Sequence, residues 1–314
     1  MNIWQELPKP FLILAPMEGV TDLAFRQVIE RAGRPNLFYT EFTNVSSYAS
    51  EKGRHNALER LSITEADKPI IAQIWGKNPD HFSELGQALE SLGFAGVDLN
   101  FGCPDKHVNK AGGGAAMIKT PELAVDCYRK VKAATNLPVS IKTRLGFTYV
   151  DEYKTWLPTV LAEHPAALTV HLRTRKEMSK VAAHYELIPE ILKLRAEISP
   201  ETKLIINGDI KDRAAALKLY EQFPEIDGFM IGRGVFTNPY CFTDHVATRE
   251  KLMELLHLHI DLYEQQIEKY GVPYEPLKHY YKIYINNFPG ASDLRAKLME
   301  TRSIAEAREV LKTI

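Results

Sequence analysis

Cysteine, net charge and long apolar runs are all scarce in this chain of 314 residues, and each shortage excludes a class of protein. The three cysteines, Cys103, Cys127 and Cys241, are too few and too far apart for a disulfide framework or a zinc site, so we expect no metal. The formal net charge is −1, so bulk electrostatics does not indicate a nucleic-acid-binding protein. Any such partner would have to meet a local patch.

The N-terminal segment lacks the features of a targeting signal. Its apolar run is interrupted by Pro10 and Pro16 and has no basic leader, so it predicts neither a signal peptide nor a membrane span. We therefore expect a cytoplasmic protein with no membrane partner.

Short apolar runs recur along the chain, each followed by polar or glycine residues and then by a helical pattern. They cover residues 11–15, 37–39, 70–74, 96–99, 139–142, 167–170, 203–206 and 228–231. Between them, segments such as 80–92 and 121–134 place apolar residues every three or four positions, and Thr120 is the expected N-cap of the second. Alternating strands and helices predict an α/β fold, a (β/α)₈ TIM barrel over residues 1–244. A doubly wound sheet is the alternative, but the segment 15–20 lacks its glycine-rich turn.

The pattern changes near residue 242, after which only helical periodicity is found. It predicts a small all-helical domain over residues 245–314, with helices at 245–270 and 275–288, a third from about Ser292 and a fourth from Ser303, where Glu306 would complete a capping box. Aromatic residues on the second helix are expected to face the core. Basic residues near the opposite face could follow a phosphate backbone, or could simply be a solvated surface: Lys278, His279, Lys282 and Arg295.

Polar residues close nearly every predicted strand, where a barrel collects its chemistry. In chain order they are Pro16, Met17 and Glu18, then Glu41, Gln73, Asn100 and Cys103, Lys142 and Arg144, His171 and Arg173, Asn207, Gly208 and Asp209, and finally Gly232, Arg233 and Gly234. Any one of these could be a solvated loop residue, but the full set at one rim predicts an active site.

Three of these positions carry more specific signals. Glycine-rich turns with an arginine at the last two strand ends suit a phosphorylated ligand. Lys142 could form a Schiff base, as in aldolase-type barrels, or could stand as a cation beside an electron-rich ring. Cys103 lies between a glycine and a proline and is a candidate catalytic residue, the alternative being a buried cysteine on a turn.

Taken in order, these segments resemble the tRNA-dihydrouridine synthase family of flavoenzymes. The segments that carry the resemblance are 15–22 (APMEGVTD), Gln73, 98–104 (DLNFGCP), 142–146 (KTRLG), 171–175 (HLRTR), 207–209 (NGD) and 230–234 (MIGRG). The segment 98–104, followed by the glycines at 112–114, is the most specific of them. Leu172 and the pair His184-Tyr185 depart from the family's usual pattern.

The resemblance implies an FMN enzyme that reduces the C5–C6 double bond of specific uridines in tRNA with NADPH. Cys103 would be the general acid that protonates C5 after a hydride has reached C6 from flavin N5. The implied cofactor residues are Pro16, Met17, Glu18, Gln73, Lys142, His171, Asn207, Gly208, Asp209, Gly232 and Arg233. The implied substrate residues are Asn100, Arg144 and Arg173 at the pocket and Lys278, His279, Lys282 and Arg295 on the tail. We expect a monomer. A tRNA-binding protein that keeps the scaffold without the chemistry is the non-enzymatic alternative.

Overall fold

The strands of the barrel follow the eight apolar runs of the sequence. The computed structural model describes residues 2–312. Its strands are β1 (Phe11–Leu14), β2 (Phe38–Tyr39), β3 (Thr43–Asn44), β4 (Ile70–Trp75), β5 (Gly96–Phe101), β6 (Val139–Arg144), β7 (Ala167–His171), β8 (Lys203–Asn207) and β9 (Gly228–Ile231). All pair in parallel, in the order β1-β9-β8-β7-β6-β5-β4-β2, and β3 also pairs with β4. A bridge between Ile13 and Leu37 brings the two ends of the sheet together. The predicted TIM barrel is confirmed.

The second barrel strand is split into β2 and β3, both paired with β4. The split occurs at Thr40, whose hydroxyl accepts a hydrogen bond from the backbone N–H of Gln73 at 3.1 Å. A side chain thus takes the place of a backbone acceptor in the ladder. The chain is thereby freed to turn Glu41 toward the loop that follows β1, where the Glu41 carboxylate accepts from the Gly19 amide at 2.6 Å.

Alternate residues of each strand face two separate apolar layers, as the two-residue period of a strand requires. In β1, Phe11 and Ile13 belong to the cluster inside the barrel, whereas Leu12 and Leu14 belong to the larger cluster between strands and helices. Trp4 joins the inner cluster and is 1% exposed. The core therefore surrounds the strands on both faces, and their polar ends reach solvent only at the rim.

Helices alternate with the strands and continue into the tail. They are α1 (Ile3–Glu6), α2 (Leu23–Gly33), α3 (Val45–Ala49), α4 (Glu51–Arg60), α5 (Pro79–Ser91), α6 (Lys106–Lys110), α7 (Pro121–Ala134), α8 (Tyr153–Leu161), α9 (Ile188–Ile198), α10 (Arg213–Gln222), α11 (Gly234–Thr237), α12 (Arg249–Tyr270), α13 (Tyr281–Tyr284), α14 (Ala291–Glu300) and α15 (Ile304–Leu311). Thr120 precedes α7 as predicted, but its side chain makes no capping bond. Between residues 2 and 312 no helix is long and apolar enough to cross a membrane.

The tail is helical as predicted, with one element wrong. The predicted helix 275–288 is a 3₁₀ helix (Glu275–Tyr280) followed by the single turn α13. It ends early because side chains take its last carbonyls: the Asn286 amide donates to the Ile283 oxygen at 2.8 Å, and the Arg295 guanidinium donates to the Ile285 oxygen at 2.6 Å. Residues 313 and 314 of the predicted tail domain lie outside the described residues.

The other tail helices begin close to their predicted positions. Helix α12 starts after Thr248, whose hydroxyl accepts from the Lys251 amide, and it ends at Gly271, where φ is +69°. Helix α14 covers the third predicted helix. The Ser303 hydroxyl caps α15 as expected, but Glu306 accepts from the Arg302 amide, so the predicted capping box forms only in part.

The tail packs directly on the loop that follows β1. The Tyr280 hydroxyl donates to the carbonyl oxygens of Val20 at 2.8 Å and Gly19 at 3.2 Å. Its ring lies 5.1 Å from that of Phe25 on α2 and 4.6 Å from that of His259 on α12. This buried aromatic group joins barrel and tail, as expected for the predicted core-facing tyrosines.

Candidate active site

A cavity of about 1120 Å³ opens at the carboxyl ends of the strands. It is lined by every barrel residue that the resemblance assigned to the pocket: Pro16, Met17, Glu18, Gln73, Asn100, Cys103, Lys142, Arg144, His171, Arg173, Asn207, Gly208, Asp209, Gly232 and Arg233. Glu41, which the strand-end set also included, does not line the cavity. The four predicted tail residues do not line it. The strand-end argument therefore selected residues that the fold brings together.

Cys103 lies on a tightly packed turn after β5. Its amide donates to the Asn100 side-chain oxygen at 2.9 Å, and its carbonyl accepts from the Ala115 amide at 3.0 Å and the Asn109 side chain at 2.8 Å. Gly114 has φ of +59°, and a Cβ there would lie 2.9 Å from the Cys103 oxygen. Glycine is thus required both by the backbone conformation and by the close approach to the cysteine.

The environment of Cys103 keeps its thiol protonated at neutral pH. The side chain is half-buried, and burial raises the pKa of the thiol above its ordinary value, although Arg144 and Lys142 act in the opposite direction. The other two cysteines are buried, and burial raises the pKa of both Cys127 and Cys241 to about 12. Cys103 alone among the three lines the pocket, so it is the one thiol placed to give a proton there.

Gln73 and Asn100 form a buried polar network with Asp98. The Gln73 amide nitrogen donates to the Asp98 carboxylate at 2.7 Å, and the Asn100 amide nitrogen donates to the Gln73 oxygen at 3.0 Å. Burial raises the pKa of Asp98 to about 6, which leaves the carboxyl ionised at neutral pH. Asn100 thus holds the backbone of Cys103, a contact that the sequence did not predict.

Lys142 and His171 offer donors to the centre of the pocket. The Lys142 ammonium makes one long hydrogen bond, 3.4 Å, to the Asn207 oxygen, and burial lowers its pKa to about 8. Burial and the neighbouring cations Arg144 and Lys142 hold the pKa of His171 well below its usual range, so the ring is neutral. Because Arg173 donates to His171 Nε2 at 3.2 Å, the ring proton is assigned to Nδ1.

Asp209 links two arginines at the side of the pocket formed by the ends of β7, β8 and β9. Its carboxylate accepts from Arg233 at 3.0 Å and from the buried Arg173, and its backbone has φ of +53°. The Arg233 side chain is 60% exposed, so its guanidinium is accessible to a ligand. Gly208 has φ of +122°, where a Cβ would press on His171 at 3.1 Å. The turn at Gly208 and Asp209 therefore fixes the positions of both the Arg233 guanidinium and the His171 imidazole.

Arg144 and Arg173 are committed to backbone carbonyls of the rim loops. The Arg144 guanidinium donates to the oxygens of Gly102 at 2.7 Å, Thr174 at 3.1 Å and Met178 at 3.1 Å. Arg173 is 2% exposed and donates to the Val181 oxygen at 2.7 Å. Both arginines line the pocket, but their main contacts tie the loop after β7 to the barrel.

The pair His184-Tyr185, noted in the sequence as atypical, also stabilises this loop. Burial opposes protonation of His184, but hydrogen bonds with Glu177 and Glu186 outweigh it and raise the pKa. The Tyr185 hydroxyl donates to the Gly208 oxygen at 2.6 Å. Both residues of the pair therefore have hydrogen-bond partners in the folded loop.

The tail basic residues divide into two kinds. Lys278 was expected on the basic face, but this is wrong: it is 9% exposed and its ammonium donates to the Met299 oxygen at 3.1 Å and pairs with Glu275 at 2.8 Å. Arg295 is held by the Ile285 oxygen. His279 and Lys282 are exposed and are the members of this group that face solvent.

Several pocket residues were not predicted from the sequence. They include Asn44, Asn56, Arg60, Trp75, His107 and Ser179. Arg60 ends α4 and pairs with Glu18, and it lies 3.6 Å from the Glu41 carboxylate. Burial raises the pKa of Glu18 even though Arg60 lowers it. Arg60 lies on a helix between β3 and β4 rather than at a strand end, so the strand-end argument did not select it.

A parallel eight-strand barrel in which the strand ends line one cavity defines the class of (β/α)₈ barrel enzymes. The fold is similar to that of a solved structure of morphinone reductase, with a TM-score of 0.51 and 15% sequence identity. The match covers 77% of this chain and 86% of that one. A second, morphinone reductase in complex with tetrahydroNAD, gives a TM-score of 0.50 at 13% identity, covering 73% of this chain and 84% of that one. At these identities the likeness concerns the fold.

The family is set by sequence: the chain belongs to the dihydrouridine synthases, whose family model, Dihydrouridine synthase (Dus), matches residues 13–314. It is 49% identical over 312 residues to the Probable tRNA-dihydrouridine synthase 2 of Bacillus subtilis (strain 168), covering 99% of this chain and 95% of that one. It is 48% identical to the Probable tRNA-dihydrouridine synthase of Staphylococcus aureus (strain COL), covering 99% and 94%. The chain is thus a flavin-dependent oxidoreductase. Membership of this family favours the flavoenzyme over the Schiff-base aldolase and the non-enzymatic tRNA-binding protein.

Proposed function

We propose that this protein is an FMN-dependent tRNA-dihydrouridine synthase that reduces the C5–C6 double bond of specific uridines with electrons from NADPH. The observation that carries the proposal is that one cavity joins a protonated, half-buried thiol to a lysine ammonium with spare hydrogen-bonding capacity and an accessible arginine. The names of the relatives support tRNA as the substrate.

The donors around the cavity fit a flavin mononucleotide. Lys142 and His171 Nδ1 would donate to the electron-rich edge of the ring, and Gln73 has a second N–H besides the one given to Asp98. Arg233 suits the phosphate, because a guanidinium donates in a planar fork. The proposed holding residues complete the set: Pro16, Met17, Glu18, Asn207, Gly208, Asp209 and Gly232.

Cys103 supplies the proton of the reaction. A flavin held by these residues and reduced by NADPH would supply the hydride that adds to C6 of the uracil. The Cys103 thiol then gives its proton to C5, and the thiolate that remains faces the cations Lys142 and Arg144, which favour its negative charge. Hydride and proton together balance the two-electron reduction of the double bond.

The target base must leave the tRNA stack to reach this cavity. We propose that Asn100, Arg144 and Arg173 shape the wall beside the base while holding the rim loops. On the tail, His279 and Lys282 are the best placed of the predicted residues to contact phosphates, and Lys278 and Arg295 would stabilise the surface that presents them.

Replacement of Cys103 by alanine tests the proposal. We expect the Cys103→Ala variant to retain bound FMN and tRNA affinity while forming no dihydrouridine in an NADPH-dependent assay read by mass spectrometry of the tRNA. Cys241→Ala, at a buried cysteine outside the cavity, is the control and should keep its activity. A wild-type protein that releases no flavin on denaturation would contradict the cofactor assignment, and an active Cys103→Ala variant would contradict the assignment of the acid.

A further inference from the structure

A chain of buried hydrogen bonds leads from β6 to the backbone of Cys103. The Ser140 hydroxyl donates to one Asp98 oxygen at 2.6 Å, and Gln73 donates to the other at 2.7 Å. Asn100 donates to the Gln73 oxygen at 3.0 Å and accepts from the Cys103 amide at 2.9 Å. Asp98 and Gln73 are fully buried, and Asp98 does not line the cavity. The chain of bonds therefore connects a residue remote from substrate to the proposed acid.

The direction of these bonds is fixed at both ends: by the Asp98 carboxylate at one, and at the other by the backbone amides of Gly102 and Cys103, which both donate to the Asn100 oxygen, at 3.1 and 2.9 Å. An ionised carboxylate only accepts, so Gln73 must turn its NH₂ group toward Asp98 and its oxygen toward Asn100. Asn100 must then turn its NH₂ group toward Gln73, which leaves its oxygen to accept from the Cys103 amide. If Asp98 did not fix the first amide, Gln73 could turn its NH₂ group toward Asn100. Asn100 would then either face it with its own NH₂ group or flip and present that group to the Gly102 and Cys103 amides. Two donors would then face each other in a buried place, and the turn would have to shift.

We propose that Asp98 is the positioning residue for Cys103, acting through Gln73 and Asn100 without touching substrate or cofactor. The inference rests on the proposed role of Cys103 as proton donor. Its distinctive consequence is that the direction of the hydrogen bonds matters, and the charge at position 98 does not.

Two substitutions at Asp98 separate direction from charge. In Asp98→Asn, the new amide can accept from Gln73 through its oxygen and donate to the Ser140 hydroxyl, which also contacts the Val97 oxygen at 3.3 Å and can donate there. The order of the chain is kept, so we expect near wild-type behaviour. In Asp98→Leu no acceptor remains for Gln73. We expect kcat for dihydrouridine formation to fall about tenfold, with the KM for tRNA unchanged, because the acid is misplaced.

Alkylation of Cys103 by iodoacetamide gives a readout that needs neither cofactor nor RNA. With the reaction run at one pH and mapped by mass spectrometry, we expect Cys103 to react severalfold faster in Asp98→Leu than in wild type or Asp98→Asn. Cys127 and Cys241 should stay unreacted and report an intact fold, since both are buried. If dihydrouridine formation is absent even in wild type, the proposed function fails, whereas the alkylation result still tests the positioning.

A double variant keeps the test decisive if Asp98→Leu does not fold. Removing the hydroxyl in Asp98→Asn/Ser140→Ala leaves the amide at 98 free to flip, so Cys103 should be alkylated faster than the sum of the two single effects predicts. Additive single effects would overturn the proposal. So would an Asp98→Asn variant as impaired as Asp98→Leu, or an Asp98→Leu variant whose kcat falls while the alkylation of Cys103 is unchanged.

Discussion

Alanine at Gly114 should damage the active site, and alanine at Gly112 should not. Both glycines have positive φ, +59° and +87°, so a side chain at either costs about 1–2 kcal/mol of backbone strain. At Gly114 the added Cβ would also lie 2.9 Å from the Cys103 oxygen and 2.8 Å from Val108 Cγ1. At Gly112 the nearest atom is Cδ of Lys77 at 3.0 Å, the middle of a flexible side chain that can move away.

The two variants should therefore differ in both stability and turnover. Overpacking adds about 1–3 kcal/mol, so Gly114→Ala should lower the free energy of unfolding by about 2–5 kcal/mol in total, against about 1–2 kcal/mol for Gly112→Ala. Because the clash pushes on the Cys103 carbonyl, Gly114→Ala should also lower kcat by about tenfold or more, whereas Gly112→Ala should keep it. Urea denaturation and dihydrouridine formation at saturating tRNA measure the two quantities. Equal losses in both variants would refute the claim that the glycine turn fixes the cysteine.

Two further predictions concern the tail. Burial lowers the pKa of His259 to about 3, so the unfolded chain binds a proton below about pH 6.5 that the folded protein refuses, and stability falls as the pH drops through this range. Between pH 7 and pH 5 the free energy of unfolding should fall by about 2 kcal/mol more in wild type than in His259→Phe, measured by urea titration, and identical slopes would contradict this. The double variant His279→Glu/Lys282→Glu should bind tRNA more weakly, and its affinity should depend less on salt, by about one phosphate contact or more. The control Lys193→Glu, on α9, should show neither change. An unchanged tRNA affinity in the tail variant would show that these residues lie outside the interface.

The barrel was predictable because its signals are local. Each apolar run had to be buried on both faces, and polar residues after the runs had to fall at the same rim, so the pocket residues at the strand ends were found without knowing a single contact. The interruption of the second strand was not predictable, since it depends on the Thr40 hydroxyl reaching the Gln73 amide, 33 residues away.

The contacts within the site were predicted less well than its membership. Arg144 and Lys278 were predicted to contact the substrate, but each donates hydrogen bonds to backbone carbonyls that come near only in the folded protein. Asn100 was predicted to meet the substrate, and its bond to the Cys103 backbone is an additional contact that the sequence did not predict. A pattern of residue types indicates which side chains gather at a rim, but partner choice among buried polar groups is decided by distances across the fold.

The hydroxyl of Tyr280 has a consequence for how this protein can be divided. Its acceptors, the Gly19 and Val20 carbonyls, belong to the same short loop as Met17 and Glu18, which line the cavity. A barrel cut after residue 244 would lose the Tyr280 contacts that hold this loop, and Phe25 would be exposed to water. The tail therefore supports a loop that lines the cavity, and exchanging tails between relatives would require α2 and the loop after β1 to be exchanged with them.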